Sequence, residues 1–142
     1  MQWWKNFSDD MKGRWDRYQN ADFKSAAMGV CALVASADGN VSAEERAKVV
    51  KAIGSLDALK SFNAGELGDL FRGLCDKAAD EFSRLDVVRL VGKLKGTESA
   101  DIAIKVGIII ANADGNFDES EKKVVKELCA TLGLDATTYL AA

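Results

Sequence analysis

Asp38, Asn40 and Ser42 stand at alternate positions of one segment, and Asp114, Asn116 and Asp118 stand in the same pattern further along. Alternate loop positions can turn their side-chain oxygens toward one point, which is how calcium loops gather ligands. A carboxylate follows at the eighth position of each set, Glu45 or Glu121. The EF-hand pattern fails, because that loop needs Gly at its sixth position and Glu at its twelfth. Ala43 or Glu119, and Val49 or Val125, stand there instead. Any site is therefore shorter. Its candidate ligands are Asp38, Asn40, Glu45, Asp114, Asn116, Asp118 and Glu121. Oxygen donors without histidine favour calcium or magnesium over zinc. In the second set Asp114, Asp118, Glu119 and Glu121 lie together with no Lys or Arg among them. Such concentrated negative charge is costly unless it is solvated or countered by a cation.

The same residues also suit helix ends. Gly39 and Gly115 can take the positive φ at which chains leave a helix. Ser42 with Glu45, and Asp118 with Glu121, have the spacing of capping boxes. Capping accounts for the glycines, Ser42, Asp118 and the two glutamates. It leaves Asp38, Asp114, Asn40 and Asn116 unexplained beside the most apolar segments of the chain. Two readings stand open: caps alone, or caps with a divalent cation.

Composition removes several other chemistries. The chain has 142 residues, no histidine and no proline. Triads with an imidazole base and His-ligated zinc are excluded. Its 19 Lys and Arg against 22 Asp and Glu give a net charge of −3, unsuited to nucleic-acid binding by phosphate neutralisation. Cys31, Cys75 and Cys129 form no CxxC and adjoin apolar stripes, where free cysteine acts as a small core residue. An odd, scattered set of thiols fits a reducing compartment. The first ten residues carry charge and do not read as a signal peptide. The longest apolar stretches, Ala26 to Ala35 and Val106 to Ala111, fall short of the roughly 20 residues a membrane span needs. The expectation is a cytoplasmic chain without a direct span.

Helical period pervades the sequence and strict alternation is lacking, so the chain reads as all-α, a compact bundle of about seven helices. Trp4, Phe7, Met11, Trp15 and Tyr18 form one stripe over residues 1–18. Phe23, Ala27, Val30 and Val34 begin a second helix, apolar nearly all round. Val49, Ile53 and Leu56 mark a third. Leu67, Phe71, Leu74 and Ala78 mark a fourth, with Asn63 to Glu66 as its cap. Phe82, Leu85, Val88 and Leu94 suggest a fifth. Ile102, Val106, Ile109 and Ile110 give a sixth, and Val124, Val125, Leu128 and Leu132 a seventh. Gly54 and Gly96 are expected breaks, Gly133 a C-terminal stop, and Asp135 the cap of a short turn through Tyr139. Gly29 and Gly107 are small enough for central helices to approach closely.

The Ala-Asp-Gly-Asn segments belong to an internal repeat. Ala35 to Glu45 recurs as Ala111 to Glu121, and Ala27, Val30, Leu33 and Val34 match Ala103, Val106, Ile109 and Ile110. Repeat one spans about 22–60 and repeat two about 98–140, within one domain over 1–142. Two copies suit face-to-face packing about a pseudo-two-fold axis, whereas a solenoid needs three or more.

These paired turns, with Val30 to Gly39, Val106 to Asp118 and the tail Leu132-Gly133-Leu134-Asp135, resemble the tellurite-resistance protein TerB family. The likeness covers nearly the whole chain. A related single turn occurs in membrane-anchored J-domain co-chaperones. The resemblance implies an all-helical pseudo-symmetric fold, a bacterial role in resistance to tellurite and related stresses, and a metal-binding acidic cluster. It carries Asp38, Glu45, Asp114 and Glu121 onto the repeated motif positions. It also implies a membrane-embedded or cytoplasmic protein partner of the tellurite-resistance system, which would place the chain at the inner membrane peripherally.

The expectation is therefore a non-enzymatic interaction module that binds calcium or another divalent cation. The alternative is a structural scaffold or co-chaperone-like adaptor without a metal site. A thiol-dependent enzyme lacks a nucleophile–base pair, a phosphate loop or a cofactor fingerprint. The aromatic stripe over residues 1–18 has mixed charge on its polar face, which favours docking on protein over lipid.

Overall fold

The computed structural model describes residues 20–39, 41–56, 59–60, 62–113 and 117–140. Among them are seven helices and no strand: α1 (Ala21–Ala35), α2 (Ala43–Ser55), α3 (Ala64–Ala79), α4 (Arg84–Gly92), α5 (Glu98–Ala111), α6 (Glu119–Leu132) and α7 (Thr137–Leu140). The all-helical expectation is met. The count is reached differently, since the stripe over residues 1–18 lies outside the described residues and the short C-terminal turn supplies the seventh helix.

α1 is the centre. It is buried without interruption from Ala26 to Val34, as a helix apolar on all faces must be. It packs against α3, α4, α5 and α6. Its crossing with α5 depends on Gly107, where an added Cβ would lie 2.2 Å from Val30 Cγ1. Gly29 serves the crossing with α4, facing Val91 and Val87. No polar or charged residue is buried as a whole among the described residues, and the Ser36 hydroxyl at the end of α1 is a polar side-chain atom shut away from solvent.

Local chemistry sets the ends. Asn20, Ser42, Asn63 and Asp118 each accept a backbone N–H from the third residue on, which stops four helices unravelling at their starts. Gly133 ends α6 at φ 72°, the left-handed stop expected of it. Gly96, at φ 81°, turns the chain between α4 and α5. Gly54 does not break a helix but sits inside the last turn of α2. Asp135 accepts from the N–H and hydroxyl of Thr137 at the start of α7. Tyr139 then ties that turn to α5 by donating its hydroxyl to Asp101. The apolar stripe expected from Phe82 to Leu94 begins later than its spacing suggests. Phe82 lies in the turn before α4 and is 81% exposed, and Leu85 is 54% exposed, while Val87, Val91 and Leu94 enter the core.

The repeated segments adopt equivalent structure. α1 and α5 end at the matched residues Ala35 and Ala111, and α2 and α6 begin at the matched residues Ala43 and Glu119. Ser36 and Asn112 close the two helices with nearly the same backbone angles, φ −91° ψ 11° and φ −91° ψ 8°. Ser36 and Asn112 donate their N–H groups to the matched carbonyls of Ala32 and Ile108, and the next residues, Ala37 and Ala113, donate to those of Val34 and Ile110.

Candidate functional site

The two turns open on one side of the bundle. Each follows a core helix, and each hands the chain to a polar helix that starts at a cap. Between them lies a cleft of about 330 Å³. Asp38 and Glu45 line it from the first turn and its helix; Asp118 and Glu121 line it from the second. Cys31, Ala35, Ile110 and Ala111, from the ends of α1 and α5, supply apolar wall. Four of the seven sequence-derived site residues thus border one space. The other three, Asn40, Asp114 and Asn116, lie outside the described residues.

The four carboxylates are not equivalent. In the second copy Asp118 Oδ1 accepts from the Glu121 N–H at 2.9 Å, and Glu121 Oε1 accepts from the Asp118 N–H at 3.0 Å. That is the full reciprocal capping box. Ser120 also donates its hydroxyl to Asp118 at 2.7 Å. The Ser120 hydroxyl first, and then the Glu121 N–H, hold the Asp118 carboxyl below its ordinary range. In the first copy only half of the box forms. Ser42 accepts from the Glu45 N–H at 3.1 Å, without the return bond from the Glu45 side chain. Glu45 and Asp38 are exposed, and among the described residues neither carboxylate has a hydrogen bond or ion pair. The two copies differ in this one bond: Glu45 faces the cleft without reaching back to its cap, whereas Glu121 bonds the Asp118 backbone.

Two residues in this region were not singled out from sequence. Lys48 lines the cleft one turn after Glu45 on α2. The i, i+3 spacing that joins them is visible in the sequence, but nothing there shows that this face of α2 borders the second turn. Arg46 fastens the start of α2 to α3. Its guanidinium donates to the Val41 carbonyl at 3.1 Å and pairs with Asp76 at 2.9 Å.

The cysteines behave as core. All three are buried and free. Burial pushes the Cys75 and Cys129 thiols up to about 11, and it raises Cys31 further still. A thiol held protonated at neutral pH is a poor nucleophile and a poor ligand.

Among the described residues no group of three or more Asp, Glu, Cys or His side chains converges as a metal would require. Carboxylate oxygens are the donors that a hard cation takes, and two of the cleft's carboxylates, those of Asp38 and Glu45, have no partner among the described residues.

A family model described as tellurite resistance protein TerB matches residues 24–142. The chain belongs to the TerB family. A tellurium resistance protein TerB from an Alcaligenes species is 32% identical to it over 95 residues, covering 65% of this chain and 78% of the relative. No solved structure matches. The TerB match takes in every described helix except the first residues of α1, and it includes both turns and all four carboxylates of the cleft. Membership of the TerB family suggests a role associated with tellurite resistance. No described helix is long and apolar enough to cross a membrane.

Proposed function

We propose that this TerB-family chain is a non-enzymatic, cation-responsive interaction module in bacterial tellurite resistance and the accompanying stress response, acting from the cytoplasm on a protein partner of that system. One observation carries the reading. Two turns far apart in sequence place Asp38, Glu45, Asp118 and Glu121 around one cleft. Capping requires no such meeting, since each cap acts within its own helix. A divalent cation would be held by Asp38 and Glu45, with Asp118 and Glu121 supplying further negative charge. Calcium takes six to eight oxygens, so backbone carbonyls or waters complete the shell and binding is weaker than in an EF-hand.

The test is thermal melting of the chain at low ionic strength with rising calcium or magnesium. A ligand that binds only the folded state raises Tm by mass action. The expected result is a rise that Asp38→Asn with Glu45→Gln abolishes and Asp114→Asn reduces. An unchanged Tm at millimolar calcium and magnesium would sink the cation reading.

A second reading is favoured by the reciprocal box of Asp118 and Glu121. Those carboxylates already have work to do as caps. On this reading the chain is a scaffold or co-chaperone-like adaptor whose turns only start and stop helices.

A further inference from the structure

The acidic cleft does not end at the turns. A second cavity of about 490 Å³ runs on from it between α2 and the end of α5, and Lys48, Ile110 and Ala113 line both. The second cavity is apolar, walled by Ala52, Leu56 and Ile109, with Lys51 beside them. Together the two make one trough, acidic at one end and apolar at the other. Along α2 and its C-cap the wall runs through Glu45, Lys48, Ala52 and Leu56, spaced three or four residues apart, with Lys51 and Ser55 at its side. At 1.5 Å per residue that wall is about 16 Å long, the length of three helical turns.

We propose that this trough is a docking site for an amphipathic helical segment of a partner protein, about three turns long, with Lys or Arg at one end. The proposal rests on the interaction-module reading above and needs no bound metal. The cationic end meets Asp38 and Glu45, whose carboxylates have no partner among the described residues. The apolar stripe of the segment covers Ala52, Leu56 and Ile109. Helix-in-groove recognition of this kind reads anchors at i, i+3 or i+4 and i+7. Charge decides against a lipid surface as occupant. Four carboxylates at one end of the trough, on a chain of net charge −3, repel anionic headgroups. A divalent cation and the cationic end of the segment would contend for the same carboxylates, so calcium weakens docking where it binds.

The experiment uses the full isotope-labelled chain and a synthetic probe. The probe is a 14-residue Leu/Ala/Glu helix with leucines at i, i+4, i+7 and i+11 and two N-terminal arginines. A control peptide has glutamates in place of the arginines. Amide shifts are expected along α2 and at the end of α5. Affinity for the control, and affinity of Asp38→Asn with Glu45→Gln for the probe, should fall roughly threefold or more, as expected for losing exposed charge pairs. Both substitutions lie at exposed positions, so folding is retained and read out by the same spectra. Ala52→Glu should block the apolar half. Equal affinity for both peptides overturns the proposal. So do shifts outside the trough, or perturbation of the trough by phosphatidylserine vesicles but not by the probe. Concentration-dependent shifts without peptide would assign the trough to a second copy. Contacts from the Trp3, Trp4 or Trp15 indoles to Ile109 and Leu56 would assign it to the chain's own N-terminal segment. Either outcome overturns docking of a partner. Probe binding that calcium leaves unaltered, with no calcium effect on Tm, removes the cation reading and keeps the docking site.

Discussion

A side chain in the repeated turns can serve its own helix or the space between the helices, and the two copies divide these duties differently. Ser42 accepts one backbone bond and leaves Glu45 unengaged, while Asp118 and Glu121 bind each other's backbone. Ser42→Ala should therefore cost about 0.5–2 kcal/mol in a urea melt, the usual value of a lost N-cap. Loss near zero would mean that α2 starts elsewhere. The caps also predict an acid limit. Asp118, Asp80 and Asp135 all lie below their ordinary value of 3.8, held down first by the hydroxyls of Ser120, Ser83 and Thr137. A carboxyl whose folded value is lowered contributes stability that is complete above the unfolded value. That contribution disappears as pH falls through the folded value. Urea midpoints should decline as pH drops into and below the ordinary aspartate range. Asp118→Asn should flatten that decline, because asparagine still caps but does not titrate. The buried thiols give a third expectation at this scale. With burial lifting Cys75 and Cys129 to about 11, native chain at neutral pH should label slowly with iodoacetamide, and denatured chain should label at three sites. Fast native labelling of Cys31, which borders the cleft, would contradict it.

Among the elements, period and caps were readable because both are local. The core stripes of α1, α3, α5 and α6, the Asn63 cap and the Gly133 stop all follow from neighbours within a few residues. Phe82 and Leu85 show where this fails. Their spacing fits the α4 stripe, but Asp80 accepts from the Ser83 N–H and hydroxyl, which makes a turn there and leaves both apolar side chains outside. Side-chain period records which residues could share a face, and a competing local hydrogen bond decides where the helix begins. Glycine shows the same contrast between local and tertiary demands. Gly73 lies within α3 with nothing within 4 Å of an added Cβ, so Gly73→Ala should stabilise by about 0.5–1 kcal/mol through backbone entropy alone. Gly107 is also helical, yet its Cβ would strike Val30, and Gly107→Ala should destabilise by about 1–3 kcal/mol as overpacking does. Thermal melts of the two variants should move in opposite directions. A stabilised Gly107→Ala would show that α1 and α5 can separate without cost.

For the whole molecule, the meeting of the two turns was inferable only as a possibility of symmetry, because no local rule dictates how two distant copies pack. That packing brings Lys48 and the α2–α5 trough beside the acidic turns, and neither could be assigned from sequence. The described helices also settle which segments form the interior. The buried set runs from Phe23 on α1 to Tyr139 on α7, with α1 touching α3, α4, α5 and α6. The TerB-family match begins at residue 24, within α1. A core assembled from these helices should close without the segment 1–18. Deletion of Met1 to Tyr18 should therefore preserve the helical circular dichroism of the remainder and a single cooperative urea transition. The slope should decrease only in proportion to the surface lost, since it tracks the area exposed on unfolding. A broad or absent transition would mean that the N-terminal stripe is part of the core and that the two repeats cannot hold α1 alone. A sharp transition with calcium-dependent midpoint would place both the fold and the cation response within residues 19–142, where both turns lie.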